Sequence, residues 1–348
     1  MLLEQLDTNL DPRVLHVLAG LFLGLVFGAA AQASRFCLRR AVAGDPDERG
    51  SAAIVWLTAL FVAVVGFALV SSAGFIDLSG HRLLSADVPV AAIVFGGLFF
   101  GVGMVLTRGC ASRLTVLSAT GNLRAVFVLM VLAITAHAAM KGVLAPVRVA
   151  AGSVTVSMPT GSIFTSPVGV AIVLSLIVAL IVFLSWRARP RAFELALGAV
   201  IGCVAVGGWA LTSTLLFDEF EPLPVQTASF ILPWSETLFW TIASTAVPAG
   251  LGVGFIAGVL IGSFASAAAR GELQFQSFET PKQTLHYLLG GVLMGAGGVL
   301  AGGCTIGAGL SGVATGSIAA LLALGSIIIG CWGASTTFRK AKLSPAPA

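Results

Sequence analysis

The chain has 348 residues, of which 57% are hydrophobic and only 10% charged, with a net charge of +4 and a mean hydropathy of +1.01. That balance excludes an ordinary water-soluble domain, whose surface needs far more polar coverage. The basic residues lie in short clusters that read as membrane-topology signals, not as a nucleic-acid surface.

Apolar runs of about 20 residues suffice to cross a bilayer core. In chain order, nine such runs lie at roughly 14–33, 52–74, 90–108, 123–145, 167–186, 194–217, 237–265, 284–303 and 310–333. The first is too long and too continuous with the rest for a cleaved signal peptide. The expected fold is an all-α polytopic membrane protein of about nine transmembrane helices, with an internal, inverted repeat and re-entrant cysteine-bearing loops. It forms one integral membrane domain over 1–348. Its expected parts are one repeat half at about 14–145, connecting spans at about 167–235 and a second half at about 237–335.

Glycines recur at helical spacing in the first run (Gly20, Gly24, Gly28) and the seventh (Gly250, Gly254, Gly258, Gly262). Such small-residue stripes let helices approach backbone to backbone. The stretch from Phe217 to Ser235, with Pro222, Pro224 and Pro233, reads as a connector, and Pro248 is a candidate break that divides the seventh run into a short helix and a span.

Threading nine spans with the N-terminus outside gathers most bases on the inner side. These are Arg35, Arg39, Arg40, Arg49, Arg108, Arg113, Arg124, Arg187, Arg189, Arg191, Arg270, Lys282, Arg339, Lys340 and Lys342. Only Arg13, Arg82, Lys141 and Arg148 fall outside, together with the acidic loop of Asp218, Glu219 and Glu221. The asymmetry selects a periplasmic N-terminus and a cytoplasmic C-terminus.

Two segments share a signature: GGLFFGVGMVLTRGC ending at Cys110, and GGVLMGAGGVLAGGC ending at Cys304. At a constant offset Gly96, Gly97, Gly101, Gly103, Val105, Leu106, Gly109 and Cys110 recur as Gly290, Gly291, Gly295, Gly297, Val299, Leu300, Gly303 and Cys304. The third span runs inward and the eighth outward, so the two motifs approach from opposite faces, as in an inverted-repeat transporter. Spans one and seven also resemble each other, yet the threading gives them the same direction. Gly109 and Gly303 stand where a helix can break and free backbone N–H groups, which at membrane depth requires a cavity or burial in protein.

The five cysteines, at 37, 110, 203, 304 and 331, include no C-x-x-C pair, and no histidine lies at metal-ligand spacing from them. No cofactor is expected. Cys203 and Cys331 read as packing residues. Cys37, Cys110 and Cys304 sit in polar or basic contexts (SRFC, TRGC, GGCT). A neutral S–H is a weak donor suited to a large, polarizable acceptor. Thiolates would suit a soft cation, but the spans hold no acidic pair to compensate one. Arg108 and Arg113, with the freed N–H groups, favour an anion. Arg108 and Arg113 read either as substrate-binding cations or as inner-face anchors, with Arg35 a weaker candidate of the same kind, and Thr305 and Ser311 offer hydroxyls that either meet an oxyanion or cap a helix. His137 is either a proton site or a packed residue. The substrate type that matches is a small anion carrying soft sulfur or selenium. A selenium-species or soft-metal carrier is the alternative, and a membrane thiol oxidoreductase a further one.

RFCLRRAV, RGCASR with the later GNLRA, and above all GGCTIGAGLSG resemble the sulfur-transport (YeeE/YedE) membrane family, over most of both halves. The resemblance implies a bacterial inner-membrane permease for thiosulfate, folded as an hourglass-like helical bundle with pseudo-two-fold symmetry. It implies that Cys37, Cys110 and Cys304 are the three functional cysteines, passing thiosulfate by S–H···S hydrogen bonds without covalent capture. It further implies a cytosolic TusA-like sulfur carrier as acceptor.

Overall fold

Proline and a polar cap set the start of several long helices. Pro12 opens α1 (Pro12–Ser34) behind Asp11, whose carboxylate accepts the Arg13 N–H. Pro46 opens α3 (Pro46–Ser72), and Pro281 opens α12 (Pro281–Leu300), capped by the Thr280 hydroxyl. Proline loses nothing at these positions, since the first helical N–H has no intrahelical acceptor. The structure, a computed structural model, describes residues 11–340 apart from 77, 79, 80, 159–161, 166, 187, 189 and 217–222. Arg187, Arg189, Asp218, Glu219, Glu221 and Lys342 of the charge pattern, and the first part of the proline-rich connector, lie outside the described residues.

The remaining helices are α2 (Leu38–Ala43), α4 (Val90–Leu106), α5 (Ala111–Ala119), α6 (Leu123–Lys141), α7 (Ala145–Gly152), α8 (Pro167–Ser185), α9 (Ala192–Ala210), α10 (Ile231–Ile242), α11 (Leu251–Ala269) and α13 (Ile318–Lys340). Among the described residues, eight helices are long and apolar enough to cross a membrane. The expected eighth span is α12, which has the length, 20 residues, but starts on the polar stretch Lys282–Gln283–Thr284. The chain is thus an all-α polytopic membrane protein. A two-stranded pairing of Asp87–Val88 with Val156–Ser157 is a small exception.

The long seventh run is two helices, α10 and α11, separated around Pro248. The final span begins later than its apolar run, because Gly307–Gly312 forms a wide π turn ahead of α13.

Glycine decides how the helices meet. Gly20, Gly24 and Gly28 of α1 lie against carbonyls of Leu251, Phe255 and Val259, while Gly254, Gly258 and Gly262 of α11 lie against those of Val17, Leu21 and Leu25. Any side chain there would overlap the opposite backbone. Numbers rise together on both helices, so α1 and α11 are parallel. Their sequence resemblance is therefore that of two zipped surfaces, and the shared direction is what such packing requires. Gly97 and Gly101 of α4 meet Ala323–Ile327 and Cys331 of α13, again in parallel, whereas Gly96 and Gly103 meet Gly297–Ala301 and Gly290–Met294 of α12 in the opposite sense. The two copies of the glycine motif, α4 and α12, thus pack against each other antiparallel.

A recurring unit emerges: long helix, break, short segment, long helix. It is built by α1–α2–α3, α4–α5–α6, α9–α10–α11 and α12–π turn–α13. Cysteines 37, 110 and 304 sit in three of the four breaks, and Phe230 occupies the fourth. The span α8 packs mainly on α3 and shows most of its apolar surface outward, with Ile172 and Leu176 more than half exposed.

Candidate functional site

Three breaks share one backbone device. The residue two before each cysteine is left-handed: Arg35 (φ 51), Arg108 (φ 59) and Gly302 (φ 76). Reversal there stops the helix, and the cysteine follows. Cys37 and Cys110 are then extended N-caps of α2 and α5. The helix ends fall where the sequence places them, but the turning residues are Arg108 and Gly302, one position before Gly109 and Gly303. These latter glycines serve close approach instead. A Cβ on Gly303 would stand 2.7 Å from the Ala308 backbone nitrogen, and one on Gly109 would stand 3.2 Å from the Leu114 side chain. Left-handed arginines are strained relative to glycine.

Since α1 and α4 end side by side, Cys37 and Cys110 meet: their Sγ atoms are 3.7 Å apart, and Cys110 Sγ also lies 3.2 Å from Ser112 Oγ. Both thiols are buried. Next to them Arg113 donates Nη1–H to Gln32 Oε1 at 3.3 Å, and Gln32 donates Nε2–H to Glu272 Oε2 at 3.0 Å. Arg108 lies one turn away and is partly buried. At this end a polar cavity of about 460 Å³ is lined by Ser34, Arg35, Arg40, Ser51, Arg191, Glu194 and Arg270. The clustering of bases at one end of the bundle is therefore real in three dimensions.

Cys304 arrives from the other direction, because α12 runs opposite to α4. It is fully buried, and its Sγ accepts the Gly307 N–H at 3.3 Å. Gly302 and Gly307 also line a second cavity, of about 440 Å³, with His81, Arg82, Trp209, Gln226, Thr227 and Ser229. Arg82 Nη2–H points at the Gly302 carbonyl, 3.5 Å away. His81 accepts the Leu83 N–H and sets its ring edge-on to Trp209. Burial, and then the Arg82 charge, hold its pKa below the usual histidine value. The imidazole is therefore neutral at pH 7.

Between the cavities all three cysteines belong to one continuous core with Phe27, Phe100, Met104, Phe230, Phe255, Met294 and Cys331. Phe27, Phe230 and Phe255 meet one another in tilted, edge-on contacts, with centroids 5.3–5.8 Å apart. Aromatic rings and sulfur dominate this waist, alongside the buried hydroxyls of Thr107, Ser112, Thr305 and Ser311.

The structure brings Cys37, Cys110 and Arg113 together and sets Cys304, Gly303 and Thr305 at the opposite approach. Thr305 is fully buried and its hydroxyl lacks a hydrogen-bond partner among the described residues. Ser311 has none of that freedom, since its hydroxyl donates to the Ala228 carbonyl. His137 is stacked on Phe239 and bonded to Ser235, a packed residue. Cys203 is exposed on α9, away from the core, while Cys331 is buried within it. Sequence reasoning missed Arg82, which had counted only as one of the few bases on the sparse side. It also missed the Cys37–Cys110 contact, which spans 73 residues of sequence. No local signal could have found either.

Comparison with known proteins agrees with this architecture. The pattern for Sulphur transport matches residues 33–333. The thiosulfate transporter TsuA of Spirochaeta thermophila is 27% identical over 333 residues, covering 90% of this chain and 96% of that protein. The thiosulfate transporter TsuA of Escherichia coli is 28% identical over 367 residues, covering 95% and 99%. The matched stretch takes in all three cysteine-bearing breaks, and the chain belongs to the sulphur transport family.

Proposed function

We propose that this protein takes up thiosulfate, or a closely related small anion with an exposed sulfur, across the bacterial inner membrane. The N-terminus is periplasmic and the C-terminus cytoplasmic, so the Arg82 cavity faces the periplasm and the Arg-rich cavity the cytoplasm. One arrangement carries the reading: three buried thiols in one core, with Cys37 and Cys110 in contact, Ser34 and Arg35 before Cys37 lining one arginine-rich cavity, and Gly302 and Gly307 around Cys304 lining another with Arg82. The names of the two relatives, which match over nearly their whole length, support the choice of thiosulfate.

Arg82 draws the dianion to the mouth. Cys304 then donates its S–H to the terminal sulfur, while Thr305 and the loop shaped by Gly302 and Gly303 meet the oxygens. Cys37 and Cys110 receive the sulfur next, and Arg113, Arg108 and Gly109 shape the exit. The thiols act as neutral donors. A thiolate about 4 Å from a dianion would cost roughly 8 kcal/mol at an effective dielectric near 20. No bond to sulfur is made or broken, so the role is that of a carrier and not of an enzyme. A cytosolic acceptor, of the TusA-like sulfur-carrier kind, would collect the anion at the Arg-rich cavity.

Uptake of radiolabelled thiosulfate into proteoliposomes holding only this protein tests the reading. Cys110→Ala and Cys304→Ala should each abolish it while reaching the membrane in normal amount; full uptake by both variants rejects the relay. Competition by selenium analogues and by Cu(I) separates the carrier alternatives. One observation favours a second reading: thiols 3.7 Å apart could cycle through a disulfide, as a membrane thiol oxidoreductase would require. Thiol trapping and mass spectrometry during transport decides it, because the relay keeps both cysteines reduced throughout.

A further inference from the structure

Among the described residues, the buried polar side-chain atoms without a hydrogen-bond partner are His16 Nε2, Arg39 Nε, Trp56 Nε1 and Thr305 Oγ1. Two of them flank the Cys304 turn. Thr305 lies two residues before the Gly307–Gly312 π turn. Trp56, on α3, packs its six-membered ring edge against that turn: a Cβ built on Gly309 would stand 3.7 Å from Trp56 Cζ2, the ring carbon beside the one that bears Nε1. Trp56 is 4% exposed and Thr305 0%. An orphaned indole N–H in a core forfeits its hydration without return, so its presence calls for a reason.

Position supplies one. Trp56 belongs to the one buried core that holds Cys37, Cys110 and Cys304. Trp56 therefore stands beside the Cys304 turn, within the core that joins the thiols. We propose that Trp56 is a specificity-determining residue, donating its indole N–H to an oxygen of the sulfonate end of the anion while the thiols hold the sulfur end. This rests on the thiosulfate reading above and adds the group that reads oxygen.

The chemistry suits a relay. An indole N–H is a donor only and carries no charge, so it satisfies an oxyanion in the low-dielectric waist without trapping it as a buried guanidinium would. Passage demands binding that is strong enough to admit and weak enough to release.

Replacement of Trp56 by 3-benzothienylalanine removes the N–H and keeps the ring volume. In thiosulfate-uptake proteoliposomes this variant and Trp56→Phe should each lower kcat/KM by about tenfold or more, the loss of one hydrogen bond to a charged group. Thermal stability of the benzothienyl protein without substrate should be unchanged or raised, since an unsatisfied donor has gone. Wild-type transport by the benzothienyl protein overturns the proposal. So does a drop in stability that matches the transport loss, which would mark the N–H as structural. Absence of uptake by the unaltered protein would reject the thiosulfate reading instead.

Discussion

The breaks at Cys110 and Cys304 come from the same repeated stretch of sequence, and they differ in everything except backbone. Each follows a glycine-rich helix, and each is turned by a left-handed residue two positions earlier. Around Cys110 the neighbours are side chains: Cys37, Ser112 and the Arg113 fork tied to Gln32. Around Cys304 the neighbours are backbone, the Gly307 amide above all, and the positive charge stands off in a cavity wall at Arg82. The repeat thus conserves the way a thiol is presented, while the side chains that surround it set what each end does. One end holds a paired, charged station. The other holds a single thiol in a turn of small residues.

The largest effect should come from breaking that asymmetry. In the proposed relay Cys304 works alone, so Cys304→Ala should reduce thiosulfate uptake by at least a hundredfold. Cys37→Ala leaves Cys110 with its Ser112 partner and should cost only about tenfold, roughly the worth of one weak donor. Initial rates at matched protein density measure both. Equal losses would mean that the pair is as indispensable as the single thiol, and the distinction between the ends would fail.

The glycines that precede the thiols sharpen the same comparison. Gly303→Ala must displace the Ala308 backbone, 2.7 Å from the new carbon, whereas Gly109→Ala meets only the end of the flexible Leu114 side chain at 3.2 Å. The first should lower thermal stability by about 1–3 kcal/mol and transport with it. The second should stay within about 1 kcal/mol of the parent. Melting curves of both in detergent check the order, and a reversed order would show that the π turn is the more compliant of the two breaks.

Much of this architecture was legible in the sequence because membranes leave few options. Runs of apolar residues mark the spans, and repeated glycines mark the close contacts. The Gly96–Cys110 and Gly290–Cys304 copies announce antiparallel partners, and Pro248 marks the division of α10 from α11. What was not legible is whatever depends on a contact between distant segments. Cys37 meets Cys110 only because α1 and α4 end together. Arg82 gains meaning only when its loop folds over Gly302. The α1–α11 resemblance invites a reading as a repeat, yet its cause is a glycine zipper between parallel helices. The fourth break, at Phe230, has no cysteine and hence no signature, although it takes the same place in its unit.

The arginines at the two mouths should matter less than the thiols. Arg82→Gln removes the cation of the described cavity lining at the Cys304 end and should raise the KM for thiosulfate about tenfold with little change in kcat, an effect that shrinks as salt screens the charge. Arg270→Gln leaves Arg35, Arg40 and Arg191 around the other cavity, so its effect on uptake should be below about threefold. Comparable losses from both would indicate that charge at the two mouths is equally limiting.

The smallest expected effect is also the most directional. Burial and the neighbouring Arg82 hold His81 below the ordinary histidine pKa, so the folded protein binds this proton less readily than the unfolded chain. Its share of stability is present above the unfolded value and is lost as pH falls through the depressed folded value. Thiosulfate in the cavity opposes that loss, because the second positive charge then faces an anion. By linkage, acid should tighten binding at this mouth: the KM should fall as the pH on the Arg82 side drops below the usual histidine range, and stay flat above it. The opposite cavity is lined by arginines and Glu194 with no histidine, so lowering the pH on that side over the same range should leave the KM unchanged. Sided proteoliposomes with independently set internal and external pH separate the two, and His81→Gln should flatten the profile. A KM that responds equally from both sides, or that rises in acid, would remove His81 from any part in drawing the anion in.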